Sequence, residues 1–198
     1  MRRCLFLLGL LVLADAHAFE ILALGTSATN CKGVARDKIY PVRLQEMLRS
    51  EGVSVTVVNG GDDGDTPAFM IRRLPKLLDP QTRLVIFEPG PNDPDPASSR
   101  ESSARILEYL RERNLPTIYI STGRIQSVDE ARQMATQYGA YYYGHYGKNV
   151  PLDRAHYQFD FAGDGKGRGG HMTAEGCFLV AKNLVPLVMQ VIKEKDIH

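Results

Sequence analysis

The sequence predicts a three-layer α/β/α domain built on about five parallel strands with helices on both faces. Two observations carry this expectation. Short apolar runs alternate along the chain with longer segments whose apolar residues recur at helical spacing. The runs are also apolar at consecutive positions, as strands buried on both faces are. Such an alternation gives a doubly wound, flavodoxin-like sheet with right-handed crossovers and its ligand crevice at the carboxyl ends of the strands.

The elements follow in order. Phe19 to Leu24 is the first strand, and it ends abruptly on Gly25. Pro41 opens a helix, since its fixed φ suits the first turn. Leu44, Met47 and Leu48 form its stripe, and Gly52 ends it. Val53 to Val58 is a second, β-branched strand. Thr66-Pro67 reads as N-cap and first residue of a second helix, whose inward set is Phe69, Ile71, Leu74, Leu77 and Leu78, with Pro75 able to kink it. Leu84 to Phe87 is a third strand. A helix over roughly Ser99 to Arg113 turns Ile106, Leu107 and Leu110 inward, and Pro116 to Ile120 leads into the fourth strand. Ser127 and Glu130 have the spacing of a capping box. The helix they start runs to Tyr138 and stops at Gly139, and Ala140 to Tyr143 is a short fifth strand. Residues 144–170 form a long irregular segment, and segments of that length are often functional. Thr173 caps a last helix carrying Phe178, Leu179, Leu184, Leu187, Val188 and Val191.

The 198 residues suffice for one sizeable core, and 43% hydrophobic with 24% charged residues is ordinary globular composition. A formal net charge of +1 gives no nucleic-acid footprint. Met1-Arg2-Arg3, the apolar Cys4 to Ala14 and the small-x-small site Ala16-His17-Ala18 read as a leader over residues 1–18. The expected domain is 19–198, periplasmic or secreted, monomeric, with no membrane span in the mature chain. Export leaves Cys31 and Cys177, an even pair that an oxidising compartment allows to bond.

Ser27 stands two residues beyond the first strand, at the sheet edge where open α/β folds keep ligands. Alone it reads as a turn residue. Three further stretches change that: Asn59-Gly60-Gly61-Asp62-Asp63-Gly64, Gly90-Pro91-Asn92-Asp93, and His171 after a Gly-rich run. All four can meet at the carboxyl edge. A hydroxyl, an imidazole, backbone N–H groups and an amide are what acyl transfer needs: nucleophile, base and oxyanion donors.

These blocks resemble the SGNH hydrolases, the GDSL-type lipases and esterases, and within them the periplasmic acyl-CoA thioesterase and lysophospholipase branch. Gly25-Thr26-Ser27 lies where that family has Gly-Asp-Ser. Asn59 with Gly64-Asp65-Thr66 resembles its second block, Glu88-Pro89-Gly90-Pro91-Asn92-Asp93 its third, and His171 opens its last. The resemblance implies Ser27 as nucleophile, His171 as base, and the Ser27 N–H, Gly64 N–H and Asn92 side chain as oxyanion hole. It implies an exported hydrolase of small-molecule carboxylic esters or thioesters, with no cofactor and no metal. With Ser27 meeting His171, Cys31 and Cys177 are expected to be neighbours.

Two departures stand out. Thr26 replaces the aspartate before the serine. Arg168 stands where the family places the acid three residues before the histidine. A guanidinium accepts no hydrogen bond and opposes an imidazolium. Asp164, in the Gly-rich run 163–170, is the candidate acid. Asp160 and a backbone carbonyl are the alternatives, the latter giving a Ser–His dyad.

The remaining motifs read more plainly. Run 163–170 follows no strand, so it is not a phosphate cradle; it is a flexible loop or a basic substrate contact. His145 and His156 read as surface residues, and Tyr138, Tyr141, Tyr142, Tyr143 and Tyr146 as packing. Asp62 and Asp63 read as a solvated turn. Two other functions fit the same residues: a carbohydrate or peptidoglycan O-acetylesterase, and a non-catalytic binding module that lost the acid.

Overall fold

The computed structural model describes residues 18–122, 125–158 and 170–198. The expected leader, other than Ala18, and Asp160, Asp164 and Arg168 lie outside the described residues.

Five parallel strands form one sheet in the order β2-β1-β3-β4-β5. They are β1 (Phe19–Gly25), β2 (Val55–Gly61), β3 (Thr82–Phe87), β4 (Thr117–Ser121) and β5 (Tyr141–His145). The helices are α1 (Tyr40–Ser50), α2 (Pro67–Leu77), α3 (Pro96–Glu112), α4 (Val128–Gln137) and α5 (Ala174–Glu194), with a short 3-10 turn at Arg36–Lys38.

Alternation within each strand builds the two outer layers, because successive side chains leave opposite faces. Ile21, Ala23, Leu84, Ile86, Ile118 and Ile120 share a buried cluster with Leu44 and Leu48 of α1 and Val180, Leu184 and Val188 of α5. Leu22, Leu24, Val85, Phe87 and Tyr119 share the other with Met70 and Leu74 of α2, Ile106 and Leu110 of α3, and Ala131 and Ala135 of α4. Both faces of the central strands are therefore dry, which is why their sequences are continuously apolar. α5 is long and apolar enough to cross a membrane by length and composition. Here its Cys177, Val180, Ala181, Leu184, Val188 and Val191 stripe is buried, and it packs on α1.

The ends obey local chemistry. The Ser127–Glu130 capping box is formed. The Thr173 hydroxyl accepts the Gly176 N–H at 3.2 Å. Gly52 and Gly139 end α1 and α4 at φ +87° and +69°.

Three expectations are corrected. Thr66 has extended backbone before α2 but makes no side-chain cap bond. Phe69 is 56% exposed, and Met70 takes the inward place. α3 begins at Pro96, three residues early, because the Asp95 carboxylate accepts the Ala97 N–H at 2.9 Å and caps it there.

Cys31 and Cys177 form a disulfide with a Cα separation of 6.6 Å, closing 146 residues of chain. Reducing it, or replacing both cysteines with serine, is expected to lower the unfolding free energy by about 2–4 kcal/mol. Urea unfolding with and without reductant measures this; coincident midpoints would show that the bond adds nothing.

Candidate functional site

The strand order reverses direction between β1 and β3, and the loops leaving these two strands open the crevice expected of such a switch point. Ser27 lies in the first of them, half-buried. The chain after Gly25 coils at once: the Asn30 N–H donates to the Thr26 carbonyl at 2.9 Å and the Lys32 N–H to the Ser27 carbonyl at 3.0 Å. The Tyr146 hydroxyl, just beyond β5, donates to the Ala28 carbonyl at 2.6 Å and holds the turn from the far side of the sheet.

The β2–α2 loop is bolted to this turn. The Asp62 N–H continues the ladder to the Gly25 carbonyl at 3.1 Å. Arg73 donates from Nε to Asp65 Oδ2 at 2.7 Å and from a terminal nitrogen to the Gly25 carbonyl at 3.1 Å. Asp65 is buried, so this charge-assisted pair is a firm brace. Gly64 between them has φ +82°, a conformation other residues adopt at a cost. Asn59 reaches Asn30 Oδ1 through Nδ2 at 3.0 Å.

The β3–α3 loop closes on both. The Asn92 Nδ2 donates to the Asp65 carbonyl at 2.9 Å, which fixes the amide plane and leaves its second N–H uncommitted among the described residues. Gly90, at φ +70°, lies against the Thr26 side chain, where a Cβ would collide with the Thr26 methyl group. Neither the Ser27 N–H nor the Gly64 N–H is taken up by a hydrogen bond among the described residues.

His171 precedes α5. Its carbonyl accepts the Gln158 N–H at 2.8 Å, and Tyr157 pairs with Met172 in an isolated antiparallel bridge. The Gln158 amide donates to the Met172 carbonyl at 2.6 Å and to the Lys32 carbonyl at 3.0 Å. That side chain and the disulfide tie the His171 segment to the Ser27 turn. Burial pushes the imidazole pKa below its ordinary value, the nearby Lys32 ammonium adds to this, and the Asp63 carboxylate opposes it.

Asp63 is more than a solvated turn residue. Its carboxylate accepts the Asn30 Nδ2 at 2.9 Å and lies 3.4 Å from the Lys32 ammonium. Slight burial acts against these partners, and together they hold it below the usual carboxylate range. No metal-holding group of His, Cys, Asp and Glu occurs among the described residues.

The structure thus brings the segments of Ser27, Gly64, Asn92 and His171 to one edge, while Asp164 and Asp160 lie outside the described residues. Lys32, Arg73 and Gln158 were not singled out from the sequence, and Tyr146 was read as packing, which its burial bears out without showing its bond to Ala28. Arg73 lies nearly two helical turns beyond Pro67 and meets Asp65 only through the fold; the contacts that Gln158 and Tyr146 make are also tertiary, and none of the three had a local signal. Beside Gly64 a cleft of about 400 Å³ opens, lined by Phe69, Arg72, Arg73 and Lys76 among others. The Arg72 guanidinium lies 4.7 Å over the Phe69 ring there.

The chain matches an arylesterase of Vibrio mimicus at 38% identity over 81 residues, 40% of each chain. It matches esterase TesA of Pseudomonas aeruginosa at 36% over 96 residues, 46% of this chain and 48% of that one. It spans less than half the length of either curated relative. Among solved structures it is similar to a single-residue variant of esterase AlinE4, at 30% identity and TM-score 0.55, over 63% of this chain and 75% of that one. AlinE4 itself is described as an SGNH-hydrolase family esterase and matches with 26% identity and TM-score 0.60, over 88% and 97%. A crystal structure of TesA shares the fold at TM-score 0.74 and 23% identity, over 85% and 97%. No family model matches the chain.

Proposed function

The chain belongs to the SGNH-hydrolase family, and on that premise we propose that it is a serine esterase acting on small carboxylic esters or thioesters. Ser27 Oγ attacks the acyl carbon as His171 takes the hydroxyl proton. The Ser27 N–H, the Gly64 N–H and the Asn92 Nδ2 hold the oxyanion. Collapse expels the alcohol or thiol, which receives the proton from His171. Water, deprotonated by His171, then releases the acid and restores Ser27. No step needs a metal or cofactor. Asp164 orients the imidazole, with Asp160 or a backbone carbonyl as the alternatives.

The observation that carries this reading is one chain of hydrogen bonds. Gly25, Arg73, Asp65 and Asn92 are linked in series, so the loops bearing the nucleophile and the three oxyanion donors are held as one unit. Preorganised donors are the largest single contribution in acyl transfer, and a mere binder has no use for bracing all of them. Hydrolysis of p-nitrophenyl esters from acetate to octanoate, with the corresponding thioesters, tests it. Turnover is expected. A well-folded protein that turns over none of them would favour the binding module, and activity on acetyl sugars alone would favour the O-acetylesterase.

The pH dependence follows from the imidazole. A base must be neutral, so the rate falls as pH falls through the His171 pKa. Because burial and Lys32 lower that pKa, the midpoint is expected below the ordinary value of about 6.5. Lys32→Met removes a lowering charge and should move the midpoint up; Asp63→Asn removes the opposing carboxylate and should move it down. Rate–pH profiles of the three proteins check this, and shifts in the same direction would contradict it.

We also propose export of a monomer to the periplasm or the medium, with residues 1–18 removed and Phe19 first. Sequencing of the exported protein tests this, and a Met1 terminus would contradict it.

A further inference from the structure

Glu88 is a fully buried carboxyl group for which acyl transfer, as proposed above, has no use. It follows β3 directly, and its N–H donates to the Leu24 carbonyl at 2.9 Å. The side-chain hydrogen bonds of its carboxyl group come from the Ser27 turn, and the Gly90 N–H of its own loop also favours its charged form. Oε2 accepts the Thr26 N–H at 3.1 Å, the Thr26 hydroxyl at 2.9 Å and the Thr29 hydroxyl at 3.4 Å. Oε1 is buried and has no hydrogen-bond partner among the described residues. A carboxyl group placed in a dry core is poor value for stability, since an apolar side chain of similar volume packs there at least as well.

Its contacts bracket the nucleophile. The Thr26 N–H belongs to the peptide plane on one side. On the other, the Thr26 hydroxyl accepts the Ala28 N–H at 3.3 Å while donating to Glu88. The planes before and after the Thr26–Ser27 peptide are therefore both fixed through one oxygen, and with them the direction of the Ser27 N–H. Gly25 has room for no side chain here, because a Cβ would collide with Thr29 and the Glu88 carboxyl.

We propose that Glu88 is a positioning residue of the nucleophile turn: its Oε2, through Thr26 and Thr29, aims the Ser27 N–H and holds the turn in register with the Asn92 loop that Glu88 begins. The working feature is the single acceptor oxygen. A glutamine preserves it; a methionine does not. Burial pushes the carboxyl pKa up, against the hydrogen bonds from Thr26, the Gly90 N–H and Thr29. The proposal rests on the esterase reading for its kinetic consequences but not for the hold on the turn.

The test compares Glu88→Gln, Glu88→Met and Thr26→Val in the full exported chain, each verified as folded by circular dichroism. Misplacing a catalytic group by about 1 Å can cost about 100-fold, so Glu88→Met should lose about 10- to 100-fold in kcat for a short ester with little change in KM. Glu88→Gln should restore most of the rate, Thr26→Val should fall in the same direction, and the Glu88→Met/Thr26→Val double variant should be no slower than Glu88→Met alone. A folded Glu88→Met with wild-type kcat, or a glutamine variant as slow as the methionine one, overturns the proposal. If Glu88→Met does not fold, Thr26→Val decides: wild-type kcat overturns it, a reduced kcat at unchanged KM supports it. Amide hydrogen exchange at Thr26 and Ala28 keeps the two readings apart. Faster exchange in Thr26→Val than in Glu88→Gln supports the hold even in a protein without esterase activity, and equal exchange in both contradicts it.

Discussion

Ser27→Ala is expected to reduce kcat for a short-chain ester by on the order of 10⁶-fold, and His171→Ala by a similar factor. The two act as one unit, because a hydroxyl without a base is a poor nucleophile and a base without a hydroxyl has nothing to activate. The double variant should therefore be little worse than either single one. KM should change less than kcat, since the alanine leaves the oxyanion donors and the cleft beside Gly64 in place. Ser27 is half-buried, and its backbone bonds survive the substitution, so the fold should not suffer. Steady-state kinetics on the purified variants measures this. A Ser27→Ala protein retaining a tenth of the wild-type rate would mean that another group attacks the ester.

Asn92→Ala is the next largest, at about 10²–10³-fold in kcat. The amide of Asn92 makes one bond to the Asp65 carbonyl and is thereby held in one orientation, with its second N–H available to an oxyanion. That interaction exists in the transition state and hardly in the ground state, so the loss belongs in kcat rather than KM. Because Asn92 is exposed, its removal costs little stability. A change confined to KM would assign Asn92 to substrate binding, against the oxyanion role. Arg73→Met makes an informative companion: it breaks the brace between Gly25 and Asp65 and alters one wall of the cleft, so it should lower kcat through misplaced donors while also lowering stability.

The fold was legible in the sequence because it rests on local rules. Short continuous apolar runs at Ile21–Leu24 and Leu84–Phe87, set off by the helical patterns around them, read as strands buried on both faces, and the caps at Ser127 and Thr173 are set by neighbours within four residues. The misses were local choices between near-equal options. Phe69 and Met70 are adjacent apolar residues, and helical spacing decides between them: Met70 stands three residues after Pro67 and four before Leu74, on the buried face, while Phe69 is out of phase with both. Asp95 competes with Ser99 as the start of α3, and the aspartate prevails by satisfying an N–H one turn earlier. The site was half legible. Ser27, Gly64, Asn92 and His171 stand out by residue type, because the acyl transfer proposed for them asks for a hydroxyl, a backbone donor at a glycine, an amide and an imidazole. The groups that hold and tune them do not. Gln158 meets Lys32 across 126 positions of sequence, and Tyr146 meets Ala28 across 118, so no spacing rule points to either. Asp63 reads as one acidic residue of a turn until Lys32 and Asn30 are seen against it.

The most direct measurement of the central claim is fluorophosphonate labelling followed by mass mapping, which asks whether Ser27 is an activated nucleophile without presupposing a substrate. The reagent should add once per chain, on the peptide carrying Ser27. Labelling should vanish in Ser27→Ala and in His171→Ala, and its rate should rise with pH through the same midpoint as ester hydrolysis. A folded protein left unlabelled, or one labelled at another serine with Ser27 untouched, would contradict it.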